Sequence, residues 1–315
     1  MPPYIRRSLI ALSIDDPKLA EKAFDSWADA IVLDIVKQAA QDWQQTLKAQ
    51  MPLAIAAASR GGAEVFVRLN AQTAYAELDA TVFAGLAGVV LVGVADAAEL
   101  VLASAKLDAL ELERGILQGS LEIDLEINTA QGVWNSLEIA RASSRIGTLT
   151  INEQALYQNL DIPFETTLEV EPIEFIKGQI ITVATSVNGQ AQGMSYPLCI
   201  TQKEVDETTL KKAILRARDT GFKGALCAQP SWVKLCNEGF RPSADEVEYY
   251  KEVRQVFAEG LKRGLASVPL NGKMIDVPVD LRAEVYLEWA DRVALRDQQK
   301  IQAHQQQAIS LQSLN

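Results

Sequence analysis

Between residues 122 and 128, polar side chains alternate with apolar ones, at Glu122, Asp124, Glu126 and Asn128. In a β-strand, alternate residues point to the same face of the sheet. Carboxylates so close together, if buried, must be paired, protonated or bound to a metal ion. We expect the strand to begin late enough to leave Glu122 and Asp124 in solvent, whereas the role of Glu126 stays open.

Two further charged residues stand at the ends of apolar segments, Asp34 and Arg68. The planar guanidinium of Arg68 could bind a substrate carboxylate or phosphate through two hydrogen bonds. A structural ion pair at the same place is an equally good interpretation. Asp34 could hold a metal-coordinated water or orient Arg68, or it could be a turn carboxylate.

Composition excludes several kinds of catalysis. The one histidine, His304, lies in a Gln-rich tail, which excludes Ser-His-Asp and Cys-His nucleophiles and multi-histidine metal sites. The cysteines at 199, 227 and 236 form no C-x-x-C pair and fit a reducing compartment as buried apolar residues. No A-x-A-type cleavage site follows the first residues, so we expect a cytoplasmic protein without a signal peptide.

The net charge and the hydropathy of the chain limit the kinds of partner that it can bind. With 30 Lys and Arg against 41 Asp and Glu, the net charge is −11, which argues against nucleic acid because phosphate binding requires a basic surface. No apolar run approaches the roughly 18 residues that span a bilayer, so we expect no membrane association. A small anionic substrate is compatible with this charge, because a local arginine can outweigh the mean field.

Short β-rich segments alternate with longer helical patterns along the chain. The predicted strands are 9–12, 30–34, 65–69, 89–92, 121–127, 148–151, 194–198 and 225–228. The predicted helices are 18–27, 38–50, 96–105, 132–141, 173–187, 210–220, 243–263 and 280–295. Eight alternations without G-x-G-x-x-G after the first strand favour a closed (β/α)8 TIM barrel over an open sheet. We predict a barrel domain over 1–240, a C-terminal helical extension over 241–296, and a frayed polar tail over 297–315.

Several segments share their order with one known family. Residues 128–133 read Asn-Thr-Ala-Gln-Gly-Val and resemble the Glu-Thr-Ala-x-Gly-Val motif of the citrate lyase β-subunit family, also called the HpcH/HpaI aldolase family. Residues 67–70 (Val-Arg-Leu-Asn) resemble its V-R-x-N strand end, and residues 272–276 (Gly-Lys-Met-Ile-Asp) its G-K-M-I-D segment. The resemblance covers about residues 6–290.

The resemblance implies a carbon–carbon lyase that acts on a hydroxy acid or a 3-hydroxyacyl-CoA-type substrate. It implies a Mg²⁺ ion held by two carboxylates, since hard oxygen ligands suit Mg²⁺ and a Lewis acid stabilises the developing oxyanion. It also implies that Arg68 binds the substrate and that Asp276 acts as acid or base from a neighbouring subunit of a homotrimer. Asp34 matches the first acidic residue of the family's D-L-E-D motif.

The metal positions depart from the family pattern. Asn128 stands where the family has the glutamate ligand, and Gln154 where it has the aspartate ligand; a one-residue slip would place Glu153 there instead. Glu126 could replace the lost carboxylate from one layer below. Two functions therefore stay open: a lyase with an impaired Mg²⁺ site, or a non-catalytic homologue that serves as a binding or scaffold protein.

Overall fold

The computed structural model of the chain describes residues 5–35, 43–163, 173–194 and 205–312. Within these ranges, eight strands form one parallel sheet: β1 (Ser8–Ser13), β2 (Ala30–Asp34), β3 (Glu64–Asn70), β4 (Gly88–Val92), β5 (Glu122–Ile127), β6 (Ile146–Ile151), β7 (Gln190–Gln192) and β8 (Ala225–Cys227). Each strand pairs with the next up to β7, and β1 also pairs with β8. A backbone bridge between Gln192 and Gly224 joins β7 to the start of β8. The predicted (β/α)8 barrel is therefore confirmed.

Helices cover the outside of the barrel and extend beyond it. They are α1 (Leu19–Ser26), α2 (Trp43–Ala58), α3 (Ala74–Thr81), α4 (Ala97–Arg114), α5 (Ala130–Arg141), α6 (Glu153–Asn159), α7 (Glu174–Ser186), α8 (Glu207–Thr220), α9 (Pro230–Gly239), α10 (Ala244–Lys262) and α11 (Val277–Gln312). A 3₁₀ turn, Ser59–Gly61, follows α2, and an antiparallel hairpin of β9 (Val268–Leu270) and β10 (Lys273–Ile275) separates α10 from α11. Among the described residues, no helix is long and apolar enough to cross a membrane.

Local sequence explains where several helices begin. The side chain of Thr129 accepts a hydrogen bond from the Gly132 amide at the start of α5. Ser243 and Glu246 form the capping box that the sequence predicts for α10, each side chain accepting a bond from the other's backbone amide. Such caps satisfy amides that lack partners within the helix.

The interior of the barrel is apolar on one side and polar on the other. The apolar side comes from β1 to β4 and consists of Leu9, Ala30, Val32, Phe66 and Val90. The polar side comes from β5 to β7, where inward positions carry carboxylates, threonines and glutamines. On β5 the apolar residues point outward and pack against the helices. Because side chains alternate along a strand, its acidic residues point into the barrel and are buried there.

The expectation that Asp124 lies in solvent is wrong. Strand β5 begins at Glu122, and Asp124 is buried near the amino-terminal end of the barrel. Arg6 lies 2.7 Å from Glu122 Oε2, 3.7 Å from Asp124 Oδ1 and 2.9 Å from Glu64 Oε2. Burial raises the pKa of both Glu122 and Asp124, although the charge of Arg6 opposes the shift. This buried cluster of charges could not be predicted from the sequence, because Arg6 precedes the first strand.

Two predicted elements differ from the structure. The seventh strand is Gln190–Gln192 rather than 194–198; Met194 lies in an irregular segment, and residues 195–198 are outside the described part. Short strands rich in glutamine lack the apolar signal on which sequence prediction depends. The predicted helix over 173–187 is confirmed as α7, and the predicted start of the second helix, 38–42, also lies outside the described residues.

The prediction of a frayed tail from residue 297 is wrong, because α11 continues to Gln312. The helix is fixed to the base of the barrel by Asp29, which is fully buried. Arg7 donates to both oxygens of Asp29, at 2.8 and 2.9 Å, and Lys300 Nζ lies 2.5 Å from Asp29 Oδ1. Burial lowers the pKa of Lys300 despite the nearby carboxylate. Arg7 lowers the pKa of Asp29 more than Lys300 does, through its hydrogen bonds and its charge. These tertiary contacts, absent from any local pattern, order a Gln-rich segment.

Candidate functional site

A cavity of about 440 Å³ opens where the strands end. In parallel barrels, loops at the carboxyl ends of the strands form the active sites. Its polar lining residues are Lys22, Arg68, Glu126, Thr150, Asn152, Glu153 and Gln154, and Trp232 also lines it. The site residues predicted on β3, β5 and α6 therefore converge on one cavity.

Arg68 connects two carboxylates at this cavity. Its Nη1 lies 3.2 Å from Asp34 Oδ1, and its Nη2 lies 3.2 Å from Glu126 Oε2. Its Nε is buried and has no hydrogen-bond partner among the described residues. Both interpretations of Arg68 thus find support, since the guanidinium takes part in ion pairs and still has a donor to offer. Asp34 is placed so that it orients Arg68.

Glu126 is held on both sides. The amide of Asn152 donates to Glu126 Oε1 at 2.7 Å, while Oε2 faces Arg68. The carbonyl oxygen of Asn152 also accepts from the Ala155 amide and so begins helix α6. Because the position of Asn152 is fixed by this cap, its donation fixes the carboxylate of Glu126, which is only 4% exposed.

Glu153 has a different partner. Its Oε1 lies 2.7 Å from Nζ of Lys177, which also donates to the backbone carbonyl of Met194 at 2.7 Å. Both Glu153 and Lys177 are buried. The carboxylate is therefore neutralised by an ammonium from α7 beside the cavity.

Asn128 follows β5, next to the end of β4. A Cβ atom on Gly93 would lie 3.1 Å from Asn128 Nδ2, which is a close contact. Gly93 also has a φ of +78°, so both the space and the backbone conformation favour glycine at this position. The Oδ1 of Asn128 is buried and has no hydrogen-bond partner in the described part of the chain. It is a neutral oxygen that a ligand or cation could use.

The donor set does not match the two-carboxylate Mg²⁺ site that the resemblance implies. Mg²⁺ needs hard oxygen ligands, usually including one or two carboxylates. Here Glu126 is bound by Arg68 and Asn152, Glu153 by Lys177, and position 128 is an amide. No group of three or more His, Cys, Asp or Glu residues with metal-binding geometry occurs among the described residues.

Asp276 is remote from this cavity in its own chain. It follows β10 and begins α11, where its Oδ1 accepts from the Val279 amide at 3.2 Å. It is not among the lining residues. Its role as an acid or base supplied to a neighbouring subunit stays a prediction.

Sequence reasoning missed Asn152, Lys177 and Gln192 as parts of this region. For Lys177 a signal existed, because it stands on the helical face defined by Ile173 and Ile180, where a lysine must find a buried partner. For Asn152 the signal was its position as an N-cap directly after a strand. Gln192 lies in β7, which the sequence analysis placed at residues 194–198.

Comparison with known proteins agrees with this architecture. The sequence model described as HpcH/HpaI aldolase/citrate lyase matches residues 7–230. The chain is 25% identical over 305 residues to the citrate lyase subunit beta of Escherichia coli K12, covering 93% of this chain and 96% of the relative. It is 23% identical over 273 residues to a (3S)-malyl-CoA thioesterase of Cereibacter sphaeroides, covering 86% and 89%.

Solved structures show the same fold. A citrate lyase from Burkholderia xenovorans superposes with a TM-score of 0.72 at 14% identity, covering 93% of this chain and 96% of that one. Protein CitE from Mycobacterium tuberculosis, solved with magnesium, acetoacetate and coenzyme A, has a TM-score of 0.64 at 20% identity, covering 92% and 99%. At these identities the likeness concerns the fold.

Proposed function

The chain belongs to the HpcH/HpaI aldolase/citrate lyase family, and we propose on this basis that its cavity binds a small hydroxy or keto carboxylate or the corresponding CoA thioester. We propose further that it is a carbon–carbon lyase whose Mg²⁺-dependent site is impaired. The observation that supports this proposal is Arg68, which lines the cavity and whose Nε has no partner among the described residues. The impairment is proposed because amides, Asn128 and Gln154, stand where the resemblance implies carboxylate ligands.

A ligand carboxylate would compete with Asp34 for Arg68. The side chain of Asp34 is 39% exposed, whereas that of Glu126 is 5% exposed. The Asp34 contact is therefore the weaker one, because exposed ion pairs contribute little. A carboxylate can take the outer edge of the guanidinium while Glu126 keeps holding its inner edge.

A second candidate, the non-catalytic homologue, is favoured by the neutralised carboxylates. Glu126 and Glu153 each already have a cationic partner, so neither is free to act as a base in the absence of a rearrangement. In this case the cavity would bind a carboxylate without turnover, and the barrel would serve as a binding or scaffold protein.

Association into a homotrimer is part of the proposal. Apolar side chains of the C-terminal extension are exposed in the single chain, with Met274 at 67%, Leu281 at 54% and Val277 at 50%. These residues flank Asp276, which would reach the cavity of another subunit. Sedimentation equilibrium is expected to give three times the mass of 34.4 kDa, or a multiple of that value.

Isothermal titration tests the proposal. Oxaloacetate is expected to bind with an affinity that Mg²⁺ or Mn²⁺ changes little. The citrate lyase beta subunit of Mycobacterium tuberculosis, solved with oxaloacetate and magnesium, is titrated in parallel as the control. A lyase assay with a 3-hydroxyacyl-CoA thioester then separates the two candidates, since slow release of a smaller acyl-CoA indicates a lyase. Strong acceleration by Mg²⁺ would show that the metal site is intact, and absence of any carboxylate binding would refute the proposal altogether.

A further inference from the structure

Gln192 is the last residue of β7 and lies inside the barrel. It shares a register row with Glu126 on β5 and Thr150 on β6, both of which line the cavity. Its neighbour Ala191 packs into the outer core, and Gln190 donates to the Arg6 carbonyl. Because side chains alternate along a strand, Gln192 points into the barrel. The next two residues, Gly193 and Met194, line the cavity.

The amide nitrogen of Gln192 has no hydrogen-bond partner among the described residues. The residue is 2% exposed, and its Nε2 has no hydrogen bond to any described residue. A buried donor without an acceptor lowers the stability of the fold, and such groups are rare in native proteins. Gln190, two residues earlier on the same strand, donates to the Arg6 carbonyl oxygen at 2.7 Å. The strand therefore allows an inward glutamine to form a hydrogen bond.

A second buried donor without a partner among the described residues belongs to Arg68, which lines the cavity. Arg68 Nε on β3 is also buried and unbonded within the described part of the chain. In the strand order, Gln192 on β7 and Arg68 on β3 each lie two strands from Glu126 on β5, on opposite sides of it, and Arg68 contacts Glu126. A ligand with oxygen atoms at both ends would satisfy both.

We propose that Gln192 is a substrate-contacting residue that donates a hydrogen bond to an oxygen of the bound keto or hydroxy carboxylate. This inference rests on the proposed function, since it specifies how the same cavity recognises its ligand. Arg68 holds one oxygen group and Gln192 the other, so the site selects compounds with two such groups over simple monocarboxylates.

Substitution by methionine tests this role, because methionine has nearly the shape of glutamine without its polar atoms. Gln192→Met is expected to keep or raise the melting temperature and to weaken oxaloacetate binding roughly tenfold or more, as for a lost hydrogen bond to a charged group. The matched control Gln190→Met removes a satisfied amide from the same strand. It is expected to lower the melting temperature and to leave the affinity nearly unchanged.

The outcomes separate this inference from the function on which it rests. If wild-type protein binds oxaloacetate and Gln192→Met binds it equally well, Gln192 has no ligand role, while the proposed function stands. If wild-type protein does not bind oxaloacetate, both are overturned. A crystal of wild-type protein with oxaloacetate provides a readout independent of variant folding. Gln192 Nε2 should then lie within about 3.2 Å of a ligand oxygen, and a separation above about 4 Å would overturn the inference.

Discussion

The two interpretations of Arg68 can be separated by combining its replacement with that of Glu126. Arg68→Met removes the cation and leaves Glu126 buried with only Asn152 as a partner. If Arg68 has a structural role alone, removing the charge of Glu126 as well should restore most of the lost stability, and ligand binding with it. If Arg68 also binds the ligand, stability should return and binding should not.

The magnitude follows from the exposure of each partner. Exposed ion pairs contribute about 0–1 kcal/mol, and the Asp34 side chain is 39% exposed. Removing one partner of a buried pair costs about 3–5 kcal/mol, but the Arg68 side chain is 23% exposed, which reduces that loss. We therefore expect Arg68→Met to lower the free energy of unfolding by about 3 kcal/mol, of which about 2 kcal/mol comes from Glu126.

In Arg68→Met/Glu126→Gln, the glutamine keeps the bond from Asn152 and no longer needs a cation. The double variant is expected to regain about 2 kcal/mol relative to Arg68→Met, because no charge is left unpaired in the interior. Urea unfolding followed by the fluorescence of the five tryptophans measures the stability. Titration with oxaloacetate measures binding, which is expected to stay at least tenfold weaker than in wild type, as for a lost charged hydrogen bond.

Arg114 provides a matched control. It forms an ion pair with Asp79 at 2.7 Å on the outer helices, and its side chain is 12% exposed. Arg114→Met should lower stability without changing the affinity for oxaloacetate. Wild-type affinity in the double variant would refute a ligand role for Arg68, and failure of that variant to regain stability would refute the energetic account of the pair.

Three further predictions concern the charged residues of the barrel. Burial alone would raise the pKa of Asp29, but the hydrogen bonds and charge of Arg7 lower it to about 2, so Asp29 stabilises the fold above its unfolded pKa. Asp29→Asn is expected to cost about 3–5 kcal/mol at pH 7 in urea unfolding, and the cost should shrink as the pH falls from about 4 to about 2; a constant cost would contradict this. Burial raises the pKa of Asp124, so its ionisation destabilises the fold at higher pH. Asp124→Asn should therefore have a higher free energy of unfolding than wild type at pH 8, and this difference should become smaller as the pH falls. A difference that grows as the pH falls would contradict a raised pKa of Asp124. Asn128→Glu places a carboxylate where the resemblance implies a metal ligand, and this variant is expected to bind Mg²⁺ at least about tenfold more tightly than wild type by calorimetry. An unchanged affinity of this variant for Mg²⁺ would mean that Glu126 stays paired with Arg68 and does not contribute to a metal site.

Much of the barrel could be predicted from residues that are local in the sequence. Apolar segments of four to seven residues between helical patterns located seven of the eight strands, and the Ser243 capping box located α10. The exception was β7, whose inward residues are glutamines and whose outward residue is a single alanine. A strand of three residues carries too little periodicity to stand out.

The site was predicted only in part. Arg68, Glu126 and Glu153 were placed near the ends of their strands, and the structure brings all three to one cavity. Their partners could not be predicted. Lys177 is 24 residues from Glu153 along the chain, and Arg68 is 58 residues from Glu126, so neither pair leaves a local pattern.

The sequence by itself determined the barrel and the amide side chains at positions 128 and 154, because strand periodicity and residue identity are local properties. Tertiary structure alone decided which charges are neutralised. Arg6 inside the base, Arg68 and Lys177 at the mouth, and Lys300 beneath Asp29 each find a carboxylate distant in the chain. In a low-dielectric interior, such a pairing decides whether a carboxylate is free to bind a metal or is held as part of the framework.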